Sequence, residues 1–258
     1  MNIIVCMKQV VDLQQIRIKR DTHQPVLEGL PLQLGDMDKN ALEEAVKIKE
    51  EHGAKITVLS VGSIKLKETI LQALAMGADD ASIVVDPACD GSDPASTALT
   101  LAAAAKKIGL PDLMLLGEGS TDNYSGQVCP RLAEILGLPQ ITYVRELSVE
   151  NGTVTAVRDR ESALDVVKAN LPLVVSVTSE INKPRIPSLK QVLGAAKKPN
   201  QEVKISDLGL TPDQLKPKAV RKSAKGFVMN RKNVIFKESD AAVNVAKLAA
   251  SLAAEGLR

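Results

Sequence analysis

Apolar positions fall along this chain in two alternating textures. Continuous apolar runs enriched in Val and Ile occupy residues 2–7, 55–60, 81–85, 112–116 and 173–178, as expected of strands buried on both faces of a parallel sheet. Between them, apolar residues recur at helical spacing. Over 39–52, Ala41, Ala45 and Ile48 share one face, with Asp38 expected as the N-cap and Gly53 as the stop. Helices expected over 66–76, 94–108 and 126–136 close on Gly77, Gly109 and Gly137. Strands alternating with helices through short joints predict an α/β fold with a doubly wound, mostly parallel sheet and right-handed crossovers.

The texture then changes. Residues 141–147, 153–158 and 163–169 alternate like strands, and Asn151-Gly152 is a hairpin turn signal, so an antiparallel edge is expected. After Glu180, Lys183-Pro184-Arg185-Ile186-Pro187 breaks regular structure, and 197–237 mix Pro, Lys and isolated apolar residues without a period. A last helix over 239–257 carries Ala242, Val245, Ala249 and Leu252 on one stripe that needs a surface to cover it. The expected organisation is an α/β domain over 1–182, an extended basic arm over 183–238 and a C-terminal helix over 239–258.

Composition sharpens this picture through charge and through what is missing. Residues 183–237 carry 14 Lys and Arg against three acidic residues, leaving 19 basic against 28 acidic residues elsewhere. The overall charge of +2 therefore hides a basic arm on an acidic body. Aromatic content is 2 %, with no Trp, so stacking platforms for single-stranded nucleic acid are absent, and the acidic body would repel phosphates. Nucleic-acid binding is not expected. Cys6, Cys89 and Cys129 form no C-x-x-C pair, which suits a reducing compartment such as the cytoplasm. No run approaches the roughly 18 apolar residues that span a bilayer, and no secretory leader is recognisable.

In a doubly wound sheet, ligands sit beyond the carboxyl ends of the strands. Three loops there carry candidate chemistry. Gly117-Glu118-Gly119-Ser120-Thr121-Asp122-Asn123-Tyr124-Ser125-Gly126-Gln127-Val128 is rich in glycine and hydroxyls and leads into a helix, where backbone N–H groups favour phosphate. It matches neither the Rossmann fingerprint nor the P-loop, and an ordinary strand–helix loop would read similarly. Ser60-Val61-Gly62-Ser63 follows a strand, with Gly62 able to let a ligand approach the backbone. Gly91-Ser92-Asp93-Pro94-Ala95-Ser96-Thr97 is an N-cap with Pro at the first helical position and hydroxyls in the first turn. Catalytic constellations are missing: His23 and His52 are isolated, no Cys/His ligand spacing occurs, and Gly-x-Ser-x-Gly is absent.

Five blocks carry a family resemblance: Val5-Cys6-Met7-Lys8-Gln9-Val10-Val11-Asp12 with Ile16-Arg17-Ile18; Ala41-Leu42-Glu43-Glu44-Ala45; Thr69-Ile70 with Ala73-Leu74-Ala75-Met76-Gly77-Ala78-Asp79; the loop from Gly117 to Gln127; and Leu171-Pro172-Leu173-Val174-Val175 continuing to Asn182-Lys183-Pro184-Arg185. In order and spacing they resemble the beta subunit of electron-transfer flavoproteins over nearly all of residues 1–200. The resemblance implies an adenine-nucleotide site formed by Cys6, Val61 and the stretch 120–131, especially Asp122, Ser125, Gly126, Gln127 and Val128. Where the family has Asn-Pro-x-Asp this chain reads Gly35-Asp36-Met37-Asp38, so only Asp38 carries over. Leu13 stands where members often have an aromatic residue near the partner's flavin.

Gly91-Ser92-Asp93 with Ser96 and Thr97 resembles electron-bifurcating members, which bind a second FAD where others hold AMP. The resemblance thus implies AMP or FAD in this subunit, FAD in a larger alpha subunit, and NADH as the donor in the bifurcating case. Residues 181–198, with Leu189 in Pro187-Ser188-Leu189-Lys190, resemble the loop by which the family docks dehydrogenases and quinone-reductase-type acceptors. Two other readings compete: a stand-alone adenine-nucleotide-binding regulator of the stress-protein type, which would purify as a monomer, and a nucleic-acid binder, which would be retained on DNA in a salt-dependent way.

Overall fold

In a computed structural model the chain is described over residues 1–227 and 231–257. Two compact units are present: Met1–Arg17 with Val26–Ser223, and Ile18–Pro25 with the described part of 224–258.

The first unit is built on a nine-stranded sheet. Its strands are β1 (Asn2–Cys6), β2 (Lys55–Gly62), β3 (Asp80–Val85), β4 (Leu113–Gly117), β5 (Gln140–Glu150), β6 (Thr153–Arg160), β7 (Ala163–Asn170), β8 (Leu173–Val177) and β9 (Asn200–Val203). Their spatial order is β7-β6-β5-β8-β4-β1-β2-β3-β9. Every neighbouring pair from β5 to β9 is parallel, whereas β6 runs antiparallel to both β5 and β7. The doubly wound, mostly parallel sheet with an antiparallel edge is therefore as expected. A short antiparallel ribbon, Gln9–Val11 with Leu32–Leu34, lies outside the main sheet.

The central strands sort their side chains by the two-residue period. Ile3 and Val5 of β1, with Leu113 and Leu115 of β4, join one apolar core with helices α1 (Asp36–His52) and α2 (Leu66–Met76). Ile4 and Cys6, with Met114 and Leu116, join a second core with α3 (Pro94–Ile108) and α4 (Val128–Leu136). Each fully buried Leu or Ile contributes about 1.5–3 kcal/mol, so the Val- and Leu-rich runs sit where both faces are covered. Gly77 ends α2 at φ +139°, and a Cβ there would lie 2.8 Å from Val46 Cγ2. That close approach and the positive φ both require glycine at the stop.

Several elements differ from expectation. α1 begins at Asp36 with Gly35 as its N-cap, so Asp38 lies inside the helix rather than capping it. The fourth helix starts at Val128, leaving Gly126 and Gln127 in the preceding loop. Within the segment expected as an arm, β9 pairs with β3, and Ile205 and Leu215 are buried in the second core after it. Between β8 and β9 lies α5 (Leu189–Ala195), started by a capping box between Ser188 and Gln191.

In the second unit, α6 (Ala241–Ala254) is capped by Asp240, whose carboxylate accepts the Ala242 N–H at 2.8 Å. No residue of α6 is buried, and Val243, Val245, Leu248 and Leu252 are exposed. The helix is two to three residues shorter at each end than expected. No helix among the described residues is long and apolar enough to cross a membrane.

Candidate functional site

Chain order reverses at β1. The chain passes from β1 to β2 and β3 on one side, then returns to place β4 on the other. The crevice beyond the carboxyl ends of β1 and β4 is thus the switch point where this fold places ligands.

One buried carboxylate joins the two strand ends. Asp38, in the first turn of α1, accepts the Lys8 N–H at 2.7 Å and the Gly117 N–H at 3.1 Å. The carboxylate thereby satisfies two part-buried backbone donors at the two strand ends. Burial pushes the Asp38 carboxyl up to about 6, against the lowering effect of those two bonds and of the Lys8 charge. Gly117 is required here, because a Cβ would meet Asp38 Oδ1 at 2.6 Å. Ser60 of β2 donates to the Met7 carbonyl at 2.6 Å and fixes the same strand end.

Above this floor lies the glycine- and hydroxyl-rich loop. Lys8 Nζ reaches Asp122 at 2.7 and 2.8 Å and Ser120 Oγ at 3.3 Å, tying the loop to the end of β1. Tyr124 N–H donates to Ser120 O at 2.8 Å, and Gly126 turns the chain at φ +62° into α4. No side chain caps α4, because Gln127 turns its amide oxygen to Arg131 at 2.9 and 3.1 Å. The Val128 and Cys129 N–H groups that open α4, ahead of Pro130, are therefore available to an anion. Thr121, Asp122, Asn123 and Tyr124 are exposed, while Ser125, Gly126 and Val128 are half-buried.

The other predicted residues have identifiable places. Cys6 is buried at the end of β1, and burial pushes its thiol far above the ordinary range. Val61 and Gly62 are half-buried at the end of β2, where a Gly62 Cβ would lie 3.0 Å from Leu66. Asp93 caps α3 through the Ser96 N–H at 2.8 Å, and its second oxygen accepts the Lys218 and Ala219 N–H groups at 2.7 and 3.1 Å. Desolvation raises the Asp93 carboxyl, but these bonds outweigh it and hold it at about 2. Ser96 is buried and bonds to Asp93, and Thr97 follows it in the first turn of α3. Cys6, Asp38, Gly117, Ser120 and Asp122 converge on the crevice. Leu189 stands apart on α5, 75 % exposed.

Three residues of this rim were missed. Lys8 binds Asp122, Arg221 binds Asn123 at 2.6 Å, and Glu118 is a buried carboxylate facing the Tyr143 hydroxyl. Burial raises the Glu118 carboxyl above its ordinary range, and Tyr143 and Arg158 oppose that shift. A lone charge between two glycines after an apolar strand was a visible signal for Glu118. Nothing local pointed to Arg221.

Comparison with known proteins assigns the chain to a family. Residues 26–208 match the electron transfer flavoprotein domain. An electron transfer flavoprotein subunit beta of Clostridium acetobutylicum is 36 % identical over 254 residues, 96 % of this chain and 98 % of that protein. One from Thermoanaerobacterium thermosaccharolyticum is 39 % identical over 215 residues, 83 % of this chain and 80 % of its own length. The caffeyl-CoA reductase-Etf complex subunit CarD of Acetobacterium woodii is 35 % identical over 214 residues, 83 % of this chain and 82 % of its own.

Proposed function

The chain belongs to the electron transfer flavoprotein family, as a beta subunit, and from that premise we propose that it binds an adenine nucleotide at the switch point and works as a heterodimer with the larger, flavin-carrying alpha subunit. In the cytoplasm the pair would pass electrons from NADH or a dehydrogenase to an acceptor such as a quinone reductase. Family membership leaves the stand-alone stress-protein-type regulator without support.

One observation carries the nucleotide reading. The uncapped start of α4, the loop tied by Lys8 to Ser120 and Asp122, and the strand ends joined by Asp38 all face one crevice. Free N–H groups and a positive helix end suit phosphate, and Ser120, Thr121 and Asp122 offer acceptors and hydroxyls suited to a ribose. The residues present therefore fit an AMP moiety, whether as AMP itself or as half of FAD.

FAD is the favoured occupant. The Asp93, Ser96 and Thr97 turn resembles bifurcating members, and the Acetobacterium woodii relative is named as part of a reductase-Etf complex. A flavin bound here would supply hydride and single-electron chemistry. This chain's residues would bind and orient it: the start of α4 and Ser125–Val128 at the phosphates, Asp122 at the sugar, and Cys6 and Val61 as apolar walls. Acid–base catalysis by a side chain is not required. Leu189, exposed at the start of α5 beside Lys190, is the docking residue for redox partners, and the basic flanks would speed encounter with acidic surfaces.

The test is to co-express the chain with its alpha subunit, denature the purified heterodimer and separate the released nucleotides. Two FAD and no AMP per heterodimer supports a bifurcating, NADH-linked flavoprotein. One FAD and one AMP supports a simple electron shuttle. A chain that neither pairs nor yields nucleotide overturns the proposal.

A further inference from the structure

One exposed segment is fastened far more closely than its sequence suggests. Residues 216–222, Lys-Pro-Lys-Ala-Val-Arg-Lys, are all exposed and adopt no regular secondary structure, and such a composition ordinarily favours a solvated chain. Yet three points hold it. Leu215, immediately before it, is buried in the core beneath α3 and α4. The backbone N–H groups of Lys218 and Ala219 both donate to Asp93 Oδ2. Arg221 Nη2 donates to Asn123 Oδ1 at 2.6 Å.

The placing of these fastenings matters more than their number. Asp93 is the N-cap of α3, and Asn123 belongs to the loop that leads into α4. The segment therefore runs along the carboxyl-end rim from one helix N-terminus to the next. It brings Lys218, Arg221 and Lys222 to the rim where N–H groups already favour an anion. The Asp93 carboxylate is spent on the Ser96, Lys218 and Ala219 N–H groups. Ionised Asp93 makes a strong backbone latch, whereas the Arg221 contact is a single side-chain bond at an exposed site. The two ends thus differ in how readily they release.

We infer that residues 216–222 form a strap that closes over the phosphates of a nucleotide held at the switch point, and that its release at the Arg221–Asn123 end sets how fast the nucleotide leaves. The inference rests on the nucleotide reading above. Unlatching needs no change in the sheet: Leu215 and the Asp93 latch stay in place while the distal end swings.

The test uses the intact heterodimer, stripped of nucleotide and reloaded at this site with radiolabelled AMP or, where two FAD are found per heterodimer, radiolabelled FAD, whose release is followed after a chase with the unlabelled nucleotide. Arg221→Ala removes the distal fastening, and Ala219→Pro removes one donor from the Asp93 latch. Arg221→Ala should raise the dissociation rate about tenfold while changing association much less, as loss of a charge-assisted contact does, and Ala219→Pro, at the end that stays latched through Lys218, should raise it less. Arg221→Lys, which keeps the charge, should fall between. A release rate in Arg221→Ala within about twofold of the unaltered complex overturns the strap. An unaltered complex that retains neither AMP nor FAD at this site overturns the nucleotide reading itself, so the two failures are told apart.

Discussion

Replacing Asp38 by Asn should alter how stability depends on pH more than stability itself. The carboxylate is buried and accepts two backbone N–H groups, one at the end of β1 and one at the end of β4. Its carboxyl is raised from 3.8 to about 6, so the folded state binds the proton more tightly than the unfolded state. The stabilisation from that proton is complete below about pH 4 and is lost as pH rises through about 6. A shift of about two units corresponds to about 3 kcal/mol. Asn removes this cost of burying a charge, but its NH2 must face one of the two donors, and an orphaned buried N–H costs about 1–3 kcal/mol. The two effects nearly cancel above pH 7, whereas near pH 4.5 the variant should be the less stable by the cost of that N–H. Urea unfolding of both proteins between pH 4 and 8 reads this directly. The stability difference between them should change by about 2 kcal/mol across the window. Parallel pH profiles would refute the placing of this titration at Asp38.

Other outcomes follow from the same geometry. Gly117→Ala should cost more than about 2 kcal/mol in thermal or urea unfolding, because its Cβ would overlap Asp38 Oδ1, and overpacking of this kind is destabilising. Asp122→Asn breaks an exposed ion pair with Lys8, so unfolding free energy should move by less than about 1 kcal/mol, while nucleotide retained through gel filtration falls. Burial pushes the Cys89 thiol up to about 11 and the Cys129 thiol up to about 12. With Cys6 also buried, all three should resist a thiol reagent at pH 8 in the native protein and react after unfolding in urea. Leu189→Glu should slow reduction of a redox acceptor severalfold in stopped-flow measurements without changing the nucleotide content of the heterodimer, because interface anchors act through docking.

The sheet was legible because its inner strands are covered on both faces and so carry unbroken apolar runs that nothing else on the chain imitates. Helices α2 and α3 were legible to the residue, since Gly77, Gly109 and the Asp93-Pro94 cap are local signals. Asp38 misled for an instructive reason. An Asp before an apolar-periodic stretch ordinarily caps a helix, but here donors 30 and 79 residues away in sequence claim its side chain. Strand β9 was hidden because Asn200-Gln201-Glu202-Val203 has little strand propensity of its own, and it extends only because β3 offers a free edge. The site divides similarly. Its glycine- and hydroxyl-rich loop was visible, but Lys8 and Arg221 act across 114 and 98 residues of chain, a pairing that only the fold creates.

That ninth strand also governs how the protein can be made. β1 to β3 are adjacent in sequence and can assemble early, but β3 keeps one open side until residues 200–203 arrive. Closing a loop of that length is slow, and an open strand invites pairing with other chains in the meantime. A ribosome would have delivered most of the polypeptide before that side is shielded. Shortening the chain ahead of residue 200 should therefore yield material that clumps, even though the ends of β1 and β4 and the loop from Gly117 to Val128 lie within what remains.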